Sequence, residues 1–314
     1  MKKLAVIFVL ALLTSLFLTS CQFITPTPIT QTTETEDQDQ IATLESILTE
    51  QAATIASLNT IEASTPEPAA TESEITPETT EPALYSGEFT VIESEGLVFK
   101  LPIEVAESAT VSAVLPDDPA EGWLDFALPE RRVINFSGYS IQNHFHTPVI
   151  YIYPLQKLID AGQYGETMAT MLQSLLDDSS IDLQMDADLP FLPPFNAAQV
   201  FHMLEKRLES EHGRGIRYLT LYSQAIVGVT NYETFYTYQG LSLDGRYYIA
   251  AVLPVNSSLL PDAQLSNDEL DQIVDEYSDY IEGMTETIRA ENGGILTPSL
   301  EALDAMMMSL ISQN

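Results

Sequence analysis

The chain has 314 residues, with 12 Lys plus Arg against 46 Asp plus Glu, four histidines and one cysteine. A formal net charge of −34 repels phosphate backbones and anionic headgroups, which argues against nucleic acid as a partner and favours a soluble surface. A single thiol excludes any disulfide within the chain.

Met1-Lys2-Lys3 places positive charge ahead of an apolar run of about 15 residues, Leu4 to Leu18, which is the pattern of an export signal. A membrane span needs roughly 20. Leu18-Thr19-Ser20-Cys21 follows directly, and these four residues resemble the processing box of bacterial lipoproteins, in which a cysteine is acylated and becomes the mature N-terminus. The resemblance implies a signal peptide over 1–20, lipidation of Cys21 and a membrane as partner, with the protein anchored on the extracytoplasmic side of the cell envelope. Two or three acyl chains hold far better than one, since each buried CH₂ adds about 0.8 kcal/mol. The other reading is a core cysteine behind an ordinary signal peptide. Lys2 and Lys3 leave with the signal, so the exported chain carries 10 basic residues against 46 acidic.

From Cys21 to Ser86 there is no Lys or Arg, and "TPTPITQTTETEDQDQ" and "EASTPEPAATESEITPETTEP" combine proline, threonine and one sign of charge. Such composition cannot support a core, so 21–86 reads as an acidic stalk. Within it, over 41–58, Ile41, Leu44, Leu48, Ile55 and Leu58 follow a heptad seam interrupted by Gln51. Two readings stay open: a short coiled coil giving weak oligomerisation, or a transient amphipathic helix, because so short a helix is marginal in water. About 65 residues at roughly 3.4 Å each reach on the order of 200 Å when extended.

The remaining residues, 87–314, are enough for a sizeable core. "EFTVIE" and "LVFKLP" read as a hairpin, "RVINF" and "VIYIYP" as two further strands, and "ETMATMLQSLL" as a helix with Met168, Met171, Leu172 and Leu175 on one stripe. "AAQVFHMLEKRLESEHGRGIRYLTLYSQ" reads as a hairpin turning at Gly213 and Gly215. "ETFYTYQGLSLDGRYYIAAVLP" reads as another, with a two-residue turn at Asp244-Gly245. A long helix follows, with a Ser266/Glu269 capping box, apolar positions at Leu270, Ile273, Val274, Tyr277, Ile281, Met284 and Ile288, and a stop at Gly293-Gly294. A last helix starts at Thr297-Pro298, with Leu300, Leu303, Met307 and Leu310 on one face. Consecutive hairpins and amphipathic helices predict an α+β fold, a largely antiparallel sheet covered by helices. From "GLVFKLP" through "VIYIYP", a helix, the tyrosine-rich strands and a closing helix, the order of elements resembles the PsbP-like fold. The tyrosine-rich stretch is also similar to uncharacterised bacterial lipoprotein domains. Neither resemblance carries a functional residue.

No G-x-S-x-G elbow, phosphate loop, H-E-x-x-H or Rossmann glycine pattern occurs in the sequence, and Cys21 is committed to lipid if the box is processed. His144 and His146, one residue apart in "QNHFHTP", would share a face on a strand and could bind one transition metal given a third ligand. The bland reading is a pair of loop histidines. Asp177, Asp178, Asp182, Asp186 and Asp188 could wrap calcium but miss the EF-hand spacing, and a solvated acidic loop fits them better. Tyr218, Tyr222, Tyr232, Tyr236, Tyr238, Tyr247 and Tyr248 crowd into about 30 residues, suited either to a ligand face or to an ordinary sheet. Tyr236, Tyr238 and Tyr247, with Arg217 and Arg246 beside them, are the candidate surface for a small ligand or an envelope protein. The expectation is therefore a non-catalytic binding module without a cofactor. The alternative is a metal-dependent hydrolase using His144 and His146.

Overall fold

The computed structural model describes residues 85–118, 127–184, 189–291 and 294–312. The chain divides into two compact units, Met1–Pro77 and Glu78–Asn314, and every described residue belongs to the second. Cys21, the signal peptide, the heptad segment 41–58, Asp186 and Asp188 lie outside the described residues. Among the described residues, no helix is long and apolar enough to cross a membrane.

The fold is α+β. Strands β1 (Phe89–Ser94) and β2 (Leu97–Pro102) form the expected hairpin, with Glu95 and Gly96 both left-handed (φ 50° and 70°) in its two-residue turn. Seven strands build the main sheet: β3 (Ser108–Val114), β4 (Arg131–Ser137), β5 (Val149–Pro154), β6 (Ala198–Glu209), β7 (Gly213–Ser223), β8 (Phe235–Ser242) and β9 (Tyr247–Pro254). Their order is β3-β4-β5-β9-β8-β7-β6, and every neighbouring pair is antiparallel. Helices α1 (Leu155–Asp160) and α2 (Gln163–Asp177) connect β5 to β6. After β9 come the short strand β10 (Asn256–Ser257), helices α3 (Asn267–Ile273) and α4 (Tyr277–Ala290), strand β11 (Leu296–Thr297), helix α5 (Leu300–Met308) and strand β12 (Ile311–Ser312). β10 pairs with β11, and β12 joins β2 in a second sheet.

Both faces of the main sheet are buried. On the first, Ile134, Ile150, Leu219, Tyr236, Tyr238, Ile249 and Leu253 pack against Leu97, Phe99 and Leu101 of β2, Ile288 of α4 and Leu303, Met306 and Met307 of α5. On the second, Tyr153, Ile216, Tyr218, Leu241 and Tyr248 lie beneath Leu158 of α1 and Ala169, Leu172 and Leu175 of α2. Each fully buried leucine contributes roughly 1.5–3 kcal/mol of transfer free energy, so the stripe read on α2 is what fastens it to the sheet.

Four expectations change in detail. The β8–β9 connection is a four-residue loop, Leu243 to Arg246, because the Asp244 carboxylate accepts from the Ser242 hydroxyl (2.6 Å) and from Arg246 N–H (3.1 Å). Gly245 alone in that loop is left-handed (φ 67°). The β6–β7 turn is Ser210 to His212, closed by Ser210 N–H on the Gly213 carbonyl (2.9 Å), so Gly215 lies within β7. Its role there is spatial: Gly215 pairs with Gly240 of β8, and a Cβ on either would stand 2.4 or 2.3 Å from the Tyr238 side chain. The tyrosine lies in the room the two glycines leave, as aromatic rings do over sheet glycines.

The long helix after Ser266 keeps its capping box but is broken by a 3₁₀ turn at Val274–Glu276. The break accompanies two anchors, in which Tyr277 donates to the Val227 carbonyl (2.8 Å) and Tyr280 accepts from Val229 N–H (2.9 Å). The last helix begins two residues late, because the Ser299 hydroxyl accepts from Ala302 N–H (3.2 Å) and caps it.

Gly240→Ala should cost about 1–3 kcal/mol in urea unfolding, since the Tyr238 ring has nowhere to go. Gly283→Ala, exposed on α4 with nothing within 4 Å, should gain roughly 0.5–1 kcal/mol. Equal effects at the two sites would refute the packing assigned to Tyr238.

Candidate functional site

The tyrosine surface read from the sequence does not form. Tyr236 and Tyr238 are 0% and 1% exposed on the first face of the sheet. Tyr236 donates to Asp304 of α5 (3.1 Å), and burial pushes the hydroxyls of both tyrosines up. Arg217 is buried too: its Nε donates to Asp304 (3.2 Å) and its Nη1 to the Leu204 carbonyl, at a bulge in β6 where Leu204 is left-handed (φ 55°). Strand neighbours of alternating polarity hid this, because Tyr, Arg and Gly on a sheet read as surface until the opposing helix is known. The missed signal was Asp304, which sits among Leu300, Leu303 and Met307 on the apolar stripe of α5, where a carboxylate needs a buried partner. Tyr247 is half-buried between the guanidinium groups of Arg132 (4.9 Å) and Arg246 (5.5 Å). Arg246 also pairs with Asp244 (2.6 Å).

The other basic residues are similarly engaged. Arg131 pairs with Asp117, Lys157 with Glu130, Arg214 with Asp177, Lys206 with Asp304, and Arg289 with the fully buried carboxylate of Glu205. Arg132 donates to the Glu95 carbonyl and Ser312, Arg207 to the carbonyls of Leu175, Asp178 and Ile181, and Lys100 caps the Phe89 ring.

The acidic loop is knit by local bonds. Asp178 accepts from both the N–H and the hydroxyl of Ser180, and Asp182 from Gln184 N–H. His144 and His146 also depart from the metal reading. The Nδ1 of His144 accepts His146 N–H (2.9 Å), so its proton is on Nε2, which donates to the Thr234 carbonyl (2.9 Å). Both nitrogens are occupied, and no lone pair is left for a metal. Among the described residues, no three His, Cys, Asp or Glu side chains come together in a way that could hold an ion.

His146 belongs to a different site. α1 and α2 cover only part of the second face, and the loop 189–195, "LPFLPPF", covers more of it. Two buried side chains pin that loop. Gln239 of β8 donates to the Leu192 carbonyl (3.1 Å) and accepts Leu192 N–H (3.0 Å), and Tyr218 of β7 donates to the Pro190 carbonyl (2.9 Å). Between the pinned loop and the sheet lies a cavity of about 250 Å³, lined by Val133 and Asn135 of β4, Val149 and Tyr151 of β5, Val252 of β9, and His146, Thr147, Pro193 and Phe195. None of these residues carries a formal charge at neutral pH. The His146 ring stacks on Phe195 (centroids 5.1 Å apart, planes at 6°) and meets Phe145 and Phe235 edge-on at 4.9 and 4.6 Å. Its Nε2 is buried and has no hydrogen-bond partner. Burial, and then the neighbouring His144, lower its pKa from 6.5 to about 4, so the imidazole is neutral at pH 7.

A second concavity of about 390 Å³ lies beside β1, lined among others by Phe89, Val91, Val98, Met308 and Ile311. Its surface is mostly apolar, although Lys100, Glu211 and His212 also line it, and it has no comparable unsatisfied group among its lining residues. The sequence signal for the first cavity was the "PFLPPF" segment, where prolines fix two phenylalanines in an extended loop.

No model of a known protein family matches the chain, and neither does any curated protein.

The depressed pKa of His146 has a definite sign in stability. Above pH 6.5 the ring is neutral in both folded and unfolded chains. Between pH 6.5 and 4 the unfolded chain takes up a proton that the folded one refuses, so stability falls by up to about 3 kcal/mol on acidification. The difference in unfolding free energy between the native chain and His146→Phe, measured at pH 7.5, 5.5 and 4.2, should widen in the variant's favour as pH drops. A constant difference would mean that the ring titrates normally.

Proposed function

We propose that the protein is a lipid-anchored, extracytoplasmic binding module, held at a membrane through Cys21, and that it takes a small ligand, or one side chain of an envelope partner, into the cavity beneath the loop 189–195. One observation carries the choice of site: the His146 Nε2, buried in an aromatic wall, is left without a partner. Buried polar atoms in native proteins are almost always paired, with protein, water or ligand, and the ring that carries this one is part of the cavity's lining. At about 250 Å³ the space is below the roughly 300–1,000 Å³ of drug-sized sites, which favours a single ring or a short side chain. The two-histidine hydrolase loses its support from the occupied nitrogens of His144. The anchor rests on the resemblance of Leu18 to Cys21 to the lipoprotein processing box.

Two measurements test the proposal. Cys21→Ser should abolish incorporation of labelled fatty acid and shift the protein to the aqueous phase in detergent partitioning; label persisting on the serine variant would refute the anchor. Small aromatic probes should shift the methyl resonances of Val133, Val149 and Val252. Thr147→Trp, at an exposed position on the cavity wall, should reduce that binding at least tenfold. If no probe moves these methyls, the cavity is not a binding site.

A further inference from the structure

The concavity beside β1 borders a strand with one unpaired edge. β1 ends the small sheet, in the order β1-β2-β12, and pairs with β2 over six residues without a bulge. The two-residue turn makes Ser94 and Leu97 a hydrogen-bonded pair, and such pairs alternate along an antiparallel ladder, so Ile92 and Thr90 also bond to β2. Neighbouring bonds keep this parity: Ile103 N–H donates to the Glu88 carbonyl (3.1 Å), and Lys100 N–H turns the other way, to the Ser309 hydroxyl (2.9 Å). The N–H and C=O groups of Phe89, Val91 and Glu93 therefore point away from β2, and among the described residues they have no partner.

The same residues send their side chains to one face of the sheet. There Phe89 and Val91, 45% and 58% exposed, line the groove together with Val98 and Ile311. Native edge strands are commonly blunted by lysine, proline or a bulge, and β1 has none of these. We propose that β1 is a docking edge, to which an extended segment of a partner protein adds as an antiparallel fourth strand of the small sheet. The segment carries apolar side chains opposite Phe89 and Val91 and a basic one opposite Glu93.

The unpaired main-chain groups call for a strand, since strand addition satisfies them all at once. Antiparallel pairing is the more stable per residue. The side chains follow from the cross-strand rule, by which directly opposite residues share a face and apolar or opposite-charge pairs are favoured. Glu88 and Glu93, exposed near the two ends of β1, form no ion pair among the described residues, so a basic segment complements them. A second copy of the chain would instead bring its own glutamates and a net charge of −34 against this edge. The groove shares no lining residue with the cavity beneath the loop 189–195, so the two sites stand or fall separately.

The test uses the peptide acetyl-Lys-Thr-Val-Thr-Val-Thr-Lys-amide and the chain from position 21 onward carrying Cys21→Ser, so that neither acyl chains nor the apolar run Leu4 to Leu18 competes for the groove. Amide hydrogen exchange at Phe89, Val91 and Glu93 should slow at least tenfold with bound peptide, while that at Thr90, Ile92 and Ser94, already bonded, changes less than threefold. N-methylation of the two valine amides of the peptide should weaken binding at least tenfold, and N-methylation of the threonine amides between and beside them less than threefold. Val91→Pro removes an outward N–H and spares the bonds to β2, a place where edge strands tolerate proline, and should weaken binding at least tenfold. Val91→Lys, which sets a charge in the groove without touching the backbone, should do the same. Equal binding of the two methylated peptides, or binding without the alternating protection, overturns strand addition. So does the absence of binding by any of the peptides. A peptide with glutamate in place of both lysines that binds as tightly overturns the basic partner. Protection of the same three amides without peptide, in a species that sediments as a dimer, assigns the edge to a second copy and overturns the partner.

Discussion

An antiparallel sheet buried on both faces can use tyrosine and glutamine inside where hydroxyls and amides find partners, and one polar side chain on each face collects several of those bonds here, while the buried Tyr153 hydroxyl has none. On the first face, Asp304 receives Arg217 and Tyr236 with its carboxylate 14% exposed, and Lys206 approaches to 3.8 Å. Burial raises the pKa of Asp304, while Arg217 and Lys206 pull it back down. Because Arg217 also holds the Leu204 carbonyl, this one carboxylate joins the C-terminal helix to three strands and to the bulge in β6. Removing one partner of such a pair leaves a buried charge uncompensated, which costs about 3–5 kcal/mol in measured cases.

On the second face, Gln239 plays the matching part. All of its polar atoms are used, with Oε1 accepting from Leu192 N–H and Tyr248 and Nε2 donating to the Leu192 carbonyl and to Thr237. The loop 189–195 therefore hangs from the sheet by backbone groups, and its phenylalanines are free to face the cavity and the aromatic cluster around it. Phe195 meets Phe191 at 4.9 Å and Tyr222 at 5.6 Å, a rigid wall set up by hydrogen bonds one residue away from the cavity.

Local structure was legible wherever period and turn chemistry agreed. The Ser94-Glu95-Gly96 hairpin, the α2 stripe and the Ser266/Glu269 capping box are each decided by a few neighbouring residues, and each forms as read. β3, "SATVSAV", and the short α1 were missed, because small residues and six-residue helices carry weak periodicity. The site was legible only in part. The spacing of His144 and His146 points to a shared face, but one ring turns to the Thr234 carbonyl and the other joins phenylalanines about 50 and 90 residues away. The tyrosines failed as a surface for a related reason. Period 2 assigns each to a face but cannot say whether that face is later covered, and here both are.

The basic side chains leave one consequence. Each of those described is held by a carboxylate, a carbonyl or a ring, and with 46 acidic residues against 12 basic the chain keeps a large negative excess, while the cavity wall is uncharged. Selection by this molecule is then divided in time. The outer field, reaching about 8 Å at physiological ionic strength, sets how often a given partner arrives. The cavity, whose lining offers no charge to pair with an occupant, sets how long the partner stays. Salt would alter the first rate and barely touch the second, so traffic to the protein answers to the ionic conditions of its compartment while retention does not.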